Sequence, residues 1–282
     1  AVSGGGAITI TNTGNLAGDT LTVDAGVSST GAGTVSLTTF TRGDIAVNQD
    51  VTSNDGIVNI SASDNLTLGT VNIDADLGTI NLDVDRNNNV AATLDLGTGV
   101  LSAATDINLD GGTTTNDTII AQNLANTWVV TGANSGTLDN TSIGSVVADF
   151  TNIQLLVGNA NTDSFSFDEG SVTNVDGQGG TDTLTFVLHS TAASVALTGF
   201  GGTDGFAGTV TTGPAGFDDI NVLVGSNLNP VTNPDTLTGI NAAAAWNVDG
   251  TNQYVSTDTL DFSAVENLTG NGGVDTFTVG DP

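Results

Sequence analysis

"GTVSL" (Gly33–Leu37), "GIVNI" (Gly56–Ile60) and "GTINL" (Gly78–Leu82) open 23 and then 22 residues apart. Each carries an apolar residue at its third and fifth places with a polar one between. A companion series, "IAV" at Ile45 and "LTL" at Leu66, recurs after 21 residues. Alternation of period two marks a short β-strand whose first and third residues share a face. Recurrence in the low twenties, with no helical spacing between the strands, predicts a β-solenoid in which each lap lays its Val, Ile and Leu over those of the lap below. A sandwich would need longer strands joined by hairpin turns such as Asn-Gly.

The same triplets extend outward to "ITI" at Ile8, "LTV" at Leu21, "LDL" at Leu94 and "INL" at Ile107, so residues 1–110 read as regular solenoid laps. Gly and Asn between them are expected to supply the positive φ of tight corners. Residues 111–282 hold a looser repeat. "NDTIIAQNLANTWVVTG" from Asn116 aligns with "PDTLTGINAAAAWNVDG" from Pro234, matching Asp117 to Asp235 and Trp128 to Trp246 at an offset of 118. Further on, Phe150 matches Phe262, Gly158 matches Gly270, Asp163 matches Asp275 and Phe165 matches Phe277, at an offset of 112. The change of offset predicts a six-residue length difference in the loop after the tryptophan. "FDDINVLVGS" from Phe217 is a third, partial copy. The expected fold is therefore all-β, less regular in the second half.

Composition removes several partners. The chain of 282 residues has 31 Asp and Glu against only Arg42 and Arg86, a formal charge of -29. Nucleic acid is excluded as a partner, because affinity for phosphate rests on Lys and Arg, and an anionic membrane surface is disfavoured for the same reason. Hydrophobic residues make up 38% and fall in short β-branched runs, which supports a packed interior rather than disorder. There is no cysteine and hence no disulfide, and no apolar run approaches the ~20 residues of a membrane span, so membrane insertion is not expected. "AVSGGG" at one end and "VGDP" at the other are expected to be cuts from a longer polypeptide.

The stretch from Gly43 to Asp85, "GDIAVNQDVTSNDGIVNISASDNLTLGTVNIDADLGTINLDVD", resembles the shafts of filamentous haemagglutinin-type adhesins and other very large bacterial surface proteins built of β-strand repeats. "ENLTGNGGVDTFTV" and "DGQGGTDTLTF" resemble the units that follow such shafts. The resemblance implies a right-handed parallel β-helix on a secreted or cell-surface bacterial protein. Spacing alone implies only a solenoid.

Those same units contain turns close to the calcium-binding nonapeptide G-G-x-G-x-D-x-hydrophobe-x, whose carbonyls and aspartate cage a hard cation. Gly270–Thr278 departs only at Asn271 and Gly177–Thr185 only at Gln178, while the copy from Gly158 has lost more glycines. Asp182, Asp275 and Asp163 are thus the candidate calcium ligands, and calcium the one candidate cofactor. Known calcium rolls trap each ion between adjacent turns, yet the two good copies start 93 residues apart, about four laps or roughly 20 Å at ~4.8 Å per lap. The competing reading is a structural corner: glycines make the bend, the aspartate accepts backbone N–H groups, and Leu184 or Phe277 enters the core.

Catalytic sets are incomplete. A polysaccharide lyase needs cations to neutralise a uronate, and only Arg42 and Arg86 exist. Asp163, Asp218 and Asp219 faintly match the acids of inverting glycosidases, without the basic and histidine motifs that complete such sites. His189 stands alone and reads as a strand residue. Trp128 and Trp246, at matched repeat positions, read as packing rather than sugar-stacking residues. The expectation is a non-enzymatic structural segment of an extracellular fibre, sheath or adhesin shaft, with further copies of itself as partner. A calcium- or carbohydrate-binding module that recognises surface glycans is the alternative, and a polysaccharide-degrading enzyme ranks third.

Overall fold

A computed structural model describes residues 2–13, 18–88, 90–113, 116–228 and 231–280; Ala1, Asp281 and Pro282, at the ends read above as cuts, lie outside them. Among the described residues the chain forms β-strands and no helix. It divides into two compact units, Ala1–Leu124 with Asn134–Leu156 and Ala125–Ala133 with Val157–Pro282.

In the first unit, successive strands enter three sheets in turn. Val2–Gly4 lies in the first, Ile8–Asn12 in the second and Thr20–Val23 in the third, and Val27–Ser29 returns to the first. Through Thr118–Ile120 the strands therefore pair in parallel with those three places before or after them, and only beyond that point does an antiparallel pair enter, Ser135–Asp139 with Ala148–Thr151. Val35 opposes Ile8 on one side and Val58 on the other, and Ile80 opposes Val58 and Ile107. Ile45 likewise opposes Leu66. The 23-, 22- and 21-residue spacings of the sequence are thus the pairing registers themselves. Val35, Val58, Ile80 and Ile107 are buried as one column and Leu37, Ile60, Leu82 and Leu109 as the next. Each such side chain contributes about 1.5–3 kcal/mol by leaving water.

The glycines that open the three repeats do something other than supply positive φ. A Cβ on Gly56 would lie 2.5 Å from the carbonyl oxygen of Gly33, and one on Gly78 only 1.7 Å from that of Gly56. Close approach of one strand's backbone to the next forbids a side chain there. Positive φ nearby falls instead on Asp55 (62°), Asp85 (49°) and Asn88 (54°), whose short polar side chains tolerate it. On the outer face, Asn108 Nδ2 donates to Asn81 Oδ1 at 2.9 Å and Asn81 Nδ2 to Asn59 Oδ1 at 2.7 Å, a ladder that follows from the same register. The two arginines meet at one corner, with Arg86 4.5 Å above the Phe40 ring and Arg42 Nε 3.8 Å from Asp64 Oδ2.

The loop after Trp128 carries the extra length expected of it. Residues 140–147 include Ile143, which bridges Leu101 in parallel, and Leu101 N donates to Ser142 O. The matching connection of the second copy is the short turn 256–258.

The second unit departs further from all-parallel pairing. Parallel pairs link Thr127–Gly132 to Ser164–Phe167, Ser164–Phe167 to Thr183–Thr185, and Thr183–Thr185 to Val222–Val224. Antiparallel hairpins interrupt them: Ser194–Phe200 with Phe206–Val210, and Ala244–Val248 with Gln253–Val255. Local turn chemistry outweighs the repeat here. Asp249-Gly250, with Gly250 at φ 102°, opens the four-residue turn 249–252 between Ala244–Val248 and Gln253–Val255. The core becomes aromatic, with Trp128, Trp246, Tyr254, Phe165, Phe167 and Phe186 all buried. Trp128 stacks on Phe165 (6.0 Å, 11°) and Trp246 on Phe277 (5.4 Å, 7°). Both tryptophans are packing residues.

Candidate functional site

The three turns with calcium-type sequence precede the strands Ser164–Phe167, Thr183–Thr185 and Asp275–Val279. In each, a glycine stands five residues before the aspartate. A Cβ on Gly158, Gly177 or Gly270 would fall 2.1, 2.5 or 2.4 Å from Oδ2 of Asp163, Asp182 or Asp275 respectively. The glycine is the space into which the carboxyl folds.

Backbone N–H groups meet the Asp163 carboxyl on both oxygens and the Asp182 carboxyl on one. Asp163 Oδ1 accepts from Asn126 N at 2.8 Å and from Asn126 Nδ2 at 2.7 Å, while Oδ2 accepts from Asn159 N at 3.0 Å. Asp163 N in turn donates to Asp182 Oδ1 at 2.7 Å, and Asp182 N donates to Asn221 Oδ1 at 2.9 Å. The carbonyl of Asp182 also accepts from both Asn221 N and Val222 N. The arrangement recurs elsewhere. Asp117 N donates to Gln154 Oε1 at 2.7 Å and Asp235 N to Glu266 Oε2 at 2.8 Å, and each aspartate carbonyl accepts two consecutive N–H groups. The sequence signal for it is an Asp, Asn, Gln or Glu standing just before each matched strand, which compositional reading of the glycines passes over.

Asp163 and Asp182 are brought together, on neighbouring strands. Asp275 is not; four strands separate its own from Thr183–Thr185 in the sheet order. Its Oδ1 is buried and has no hydrogen-bond partner. Burial raises the Asp163 carboxyl to about 6 against the pull of the Asn126 and Asn159 hydrogen bonds. Burial raises Asp182 further, to about 8, with the negative neighbours Asp163, Asp204 and Asp219 adding to it.

The Asp163 carboxyl is occupied as an amide cap, and an ion there would have to compete with three N–H donors for the same two oxygens. Among the described residues no group of three or more His, Cys, Asp or Glu side chains is disposed to hold a metal.

Asp218 and Asp219 serve as turn caps as well. Asp219 Oδ1 accepts from Thr203 N and Asp204 N at 2.7 and 3.1 Å, and Asp218 Oδ1 accepts from Gly202 N at 3.2 Å. Asp163, Asp182 and Asp219 are buried and face backbone amides. His189 lies in the turn after Thr183–Thr185, not in a strand, and its Nδ1 accepts from Thr191 N at 3.2 Å. Leu184 enters the core as expected, but Phe277 is 46% exposed.

Accessible apolar side chains also lie at sheet edges. In the first unit Val2–Gly4, Ile8–Asn12 and Thr20–Val23 each pair with a single strand among the described residues, and Val2, Ile10, Leu21 and Val23 line an open apolar pocket. In the second unit Asn267–Thr269 and Asp275–Val279 end their sheets, with Phe277 and Val279 exposed. Compared with known proteins, the chain matches no family model, no curated protein and no solved structure.

Proposed function

We propose that the chain is a right-handed parallel β-helix that serves as a structural segment of an extracellular fibre, sheath or adhesin shaft on a bacterial cell surface, assembling end to end. The observation that carries this reading is the exposure of inward-type apolar residues on edge strands, Val2 at 46% in one unit and Phe277 at 46% and Val279 at 75% in the other. Edge strands with open hydrogen-bonding groups and apolar side chains are templates for pairing with another chain. The stacked columns of the first unit and the amide-capping carboxyls of the second support a scaffold role, because they tie successive laps together through burial and hydrogen bonds. The resemblance of Gly43–Asp85 to adhesin shafts points to the same setting. Sedimentation and electron microscopy of the purified chain test it: end-to-end oligomers are expected, and a strictly monomeric chain at high concentration overturns it.

A second reading, a carbohydrate-directed surface module, has one observation in its favour. Ser28, Thr52, Asn54, Asp74 and Asp76 line an open polar groove on the outside of the first sheet, and Thr52 Oγ1 donates to Ser28 Oγ at 2.9 Å. Aligned hydroxyls and carboxylates can pair with sugar hydroxyls. Saturable binding to a glycan array, lost in Thr52→Val with Asp74→Ala, would favour this reading over the shaft.

A further inference from the structure

The internal repeat shows one of its sites twice, once covered and once open. In the covered copy, Phe165 stacks on Trp128 and is opposed on its other side by Leu184, through the parallel register Ser164↔Thr183, Phe165↔Leu184, Ser166↔Thr185. Phe167 stacks on Phe186 at 5.9 Å. Phe165 and Phe167 are both 0% exposed. In the open copy the lower half is the same: Trp246 pairs with Phe277 and Ala245 with Thr276, as Trp128 pairs with Phe165 and Thr127 with Ser164. The upper half is uncovered among the described residues. Phe277 is 46% and Val279 75% exposed, and among the described residues Asp275–Val279 pairs with no strand beyond Ala244–Val248.

We infer that the free edge of Asp275–Val279 is a docking site for a parallel strand of the sequence type Asp-Thr-apolar-Thr-apolar, the type of Asp182–Phe186. The incoming apolar residues cover Phe277 and Val279 as Leu184 and Phe186 cover Phe165 and Phe167. The incoming aspartate accepts from Asp275 N, as Asp182 Oδ1 accepts from Asp163 N at 2.7 Å. Two features of the edge match this occupant. Asp275–Val279, "DTFTV", is itself of that type, as are "DSFSF" at Asp163 and "DTLTF" at Asp182, so like strands stack on like. The Asp275 carboxyl is already folded against Gly270 as Asp163 is against Gly158, so the turn before the edge has the shape that the covered copy has. Main-chain bonds supply affinity in such strand addition, and alternate side chains supply specificity. The strand's chemistry rests on the repeat; its delivery by another polypeptide rests on the proposed function, since within this chain Ser164–Phe167 and Thr183–Thr185 are each paired on both edges.

The test uses the whole chain and the peptide GQGGTDTLTF, the sequence of Gly177–Phe186, in two arms: free in solution, and appended after Pro282 through a flexible Gly-Ser linker that raises its local concentration. Hydrogen exchange of the Asp275–Val279 amides is expected to slow at least tenfold in the linked arm and saturably in the free arm. Replacing the peptide's leucine by aspartate, or Phe277→Asp in the chain, should abolish the protection. No protection in either arm, or equal protection by a scrambled peptide, overturns the inference. Oligomers without protection would sink the docking edge and spare the assembly reading; protection in a chain that stays monomeric would do the reverse.

Discussion

The backbone N–H of Asp163 donates to the side chain of Asp182 at 2.7 Å, across two paired strands, so one acid organises the peptide group of the next. Both side chains are 0% exposed. A buried carboxyl is tolerated when hydrogen bonds replace water or when it keeps its proton. The two residues divide these solutions between them: Asp163 has three N–H donors, whereas Asp182 has one donor on Oδ1 and no partner on Oδ2.

A pH dependence follows. Asp182 is raised to about 8 by burial, and Asp163 and Asp83 to about 6, again by burial first. In the unfolded chain these groups ionise near 4. The stability tied to their protons is fully present below that value and is lost as pH rises through about 6 and then about 8. Melting temperature should therefore fall by several degrees from pH 5 to pH 8, and relief of self-repulsion in a chain of charge -29 acts in the same direction. Glu169, held below its ordinary value by hydrogen bonds from Ser190, acts oppositely, but only in stronger acid. Asp182→Asn should flatten the part of the curve between pH 6 and 8. A melting temperature that rises across the range would show that these carboxyls are ionised in the fold.

The same division makes two isosteric changes unequal. In Asp163→Asn one amide oxygen can keep the Asn126 donors, but the new NH2 then faces Asn159 N, donor against donor, at a cost of about 1–3 kcal/mol. Asp182→Asn keeps its acceptor for Asp163 N and adds a donor where Oδ2 has no partner, so it should be neutral or stabilising at pH 7. Urea unfolding of both variants measures the difference, and equal losses would contradict the hydrogen-bond assignment.

Much of this fold was legible before any coordinates, and the reason is physical. In parallel stacking the repeat spacing is the register, so aligning Gly33, Gly56 and Gly78 already places Val35 against Val58 and Val58 against Ile80. The offsets of 118 and 112 likewise map the Trp128–Phe165 stack of one copy onto the Trp246–Phe277 stack of the other. Antiparallel hairpins were less visible because they depend on a few turn residues. Asp249-Gly250 announces one of them, within a pattern whose alternation fits either pairing. At the candidate site, sequence offered Asp163, Asp182 and Asp275 under two readings, calcium ligand or structural turn cap. Glycine before aspartate serves a cation cage and an amide cap equally well, and only the N–H groups around the carboxyl separate them. The exposure of Phe277 could not be read from a triplet that is buried in its other copies.

The glycine column makes a steric prediction. Gly78→Ala would place its Cβ 1.7 Å from the carbonyl oxygen of Gly56 and 3.1 Å from that of Ala75, both main-chain atoms that cannot step aside. A loss of about 3 kcal/mol or more is expected, at the upper end of what overpacking costs. Gly4→Ala, with nothing within 4 Å of its Cβ, is the control and should change stability by less than about 0.5 kcal/mol. Equally small changes at both positions, measured by chemical denaturation, would mean that the approach of neighbouring strands leaves room for a side chain at Gly78.

Calcium separates the two meanings of the glycine-aspartate turn most directly. If Asp163 and Asp182 cap amides, adding calcium must first break the Asn126 and Asn159 bonds and strip a proton from Asp182, so little binding energy is left to stabilise the fold. Melting temperature in millimolar calcium should match that in chelator at equal ionic strength to within about 2 °C. The ionic-strength control matters because a surface this acidic gathers any divalent cation diffusely. Magnesium should then do whatever calcium does, since diffuse screening reads charge and not coordination geometry, whereas a true cage discriminates by ligand number and cavity size. A stabilisation specific to calcium, removed by Asp182→Asn, would restore the cage and displace the amide-capping account of these turns.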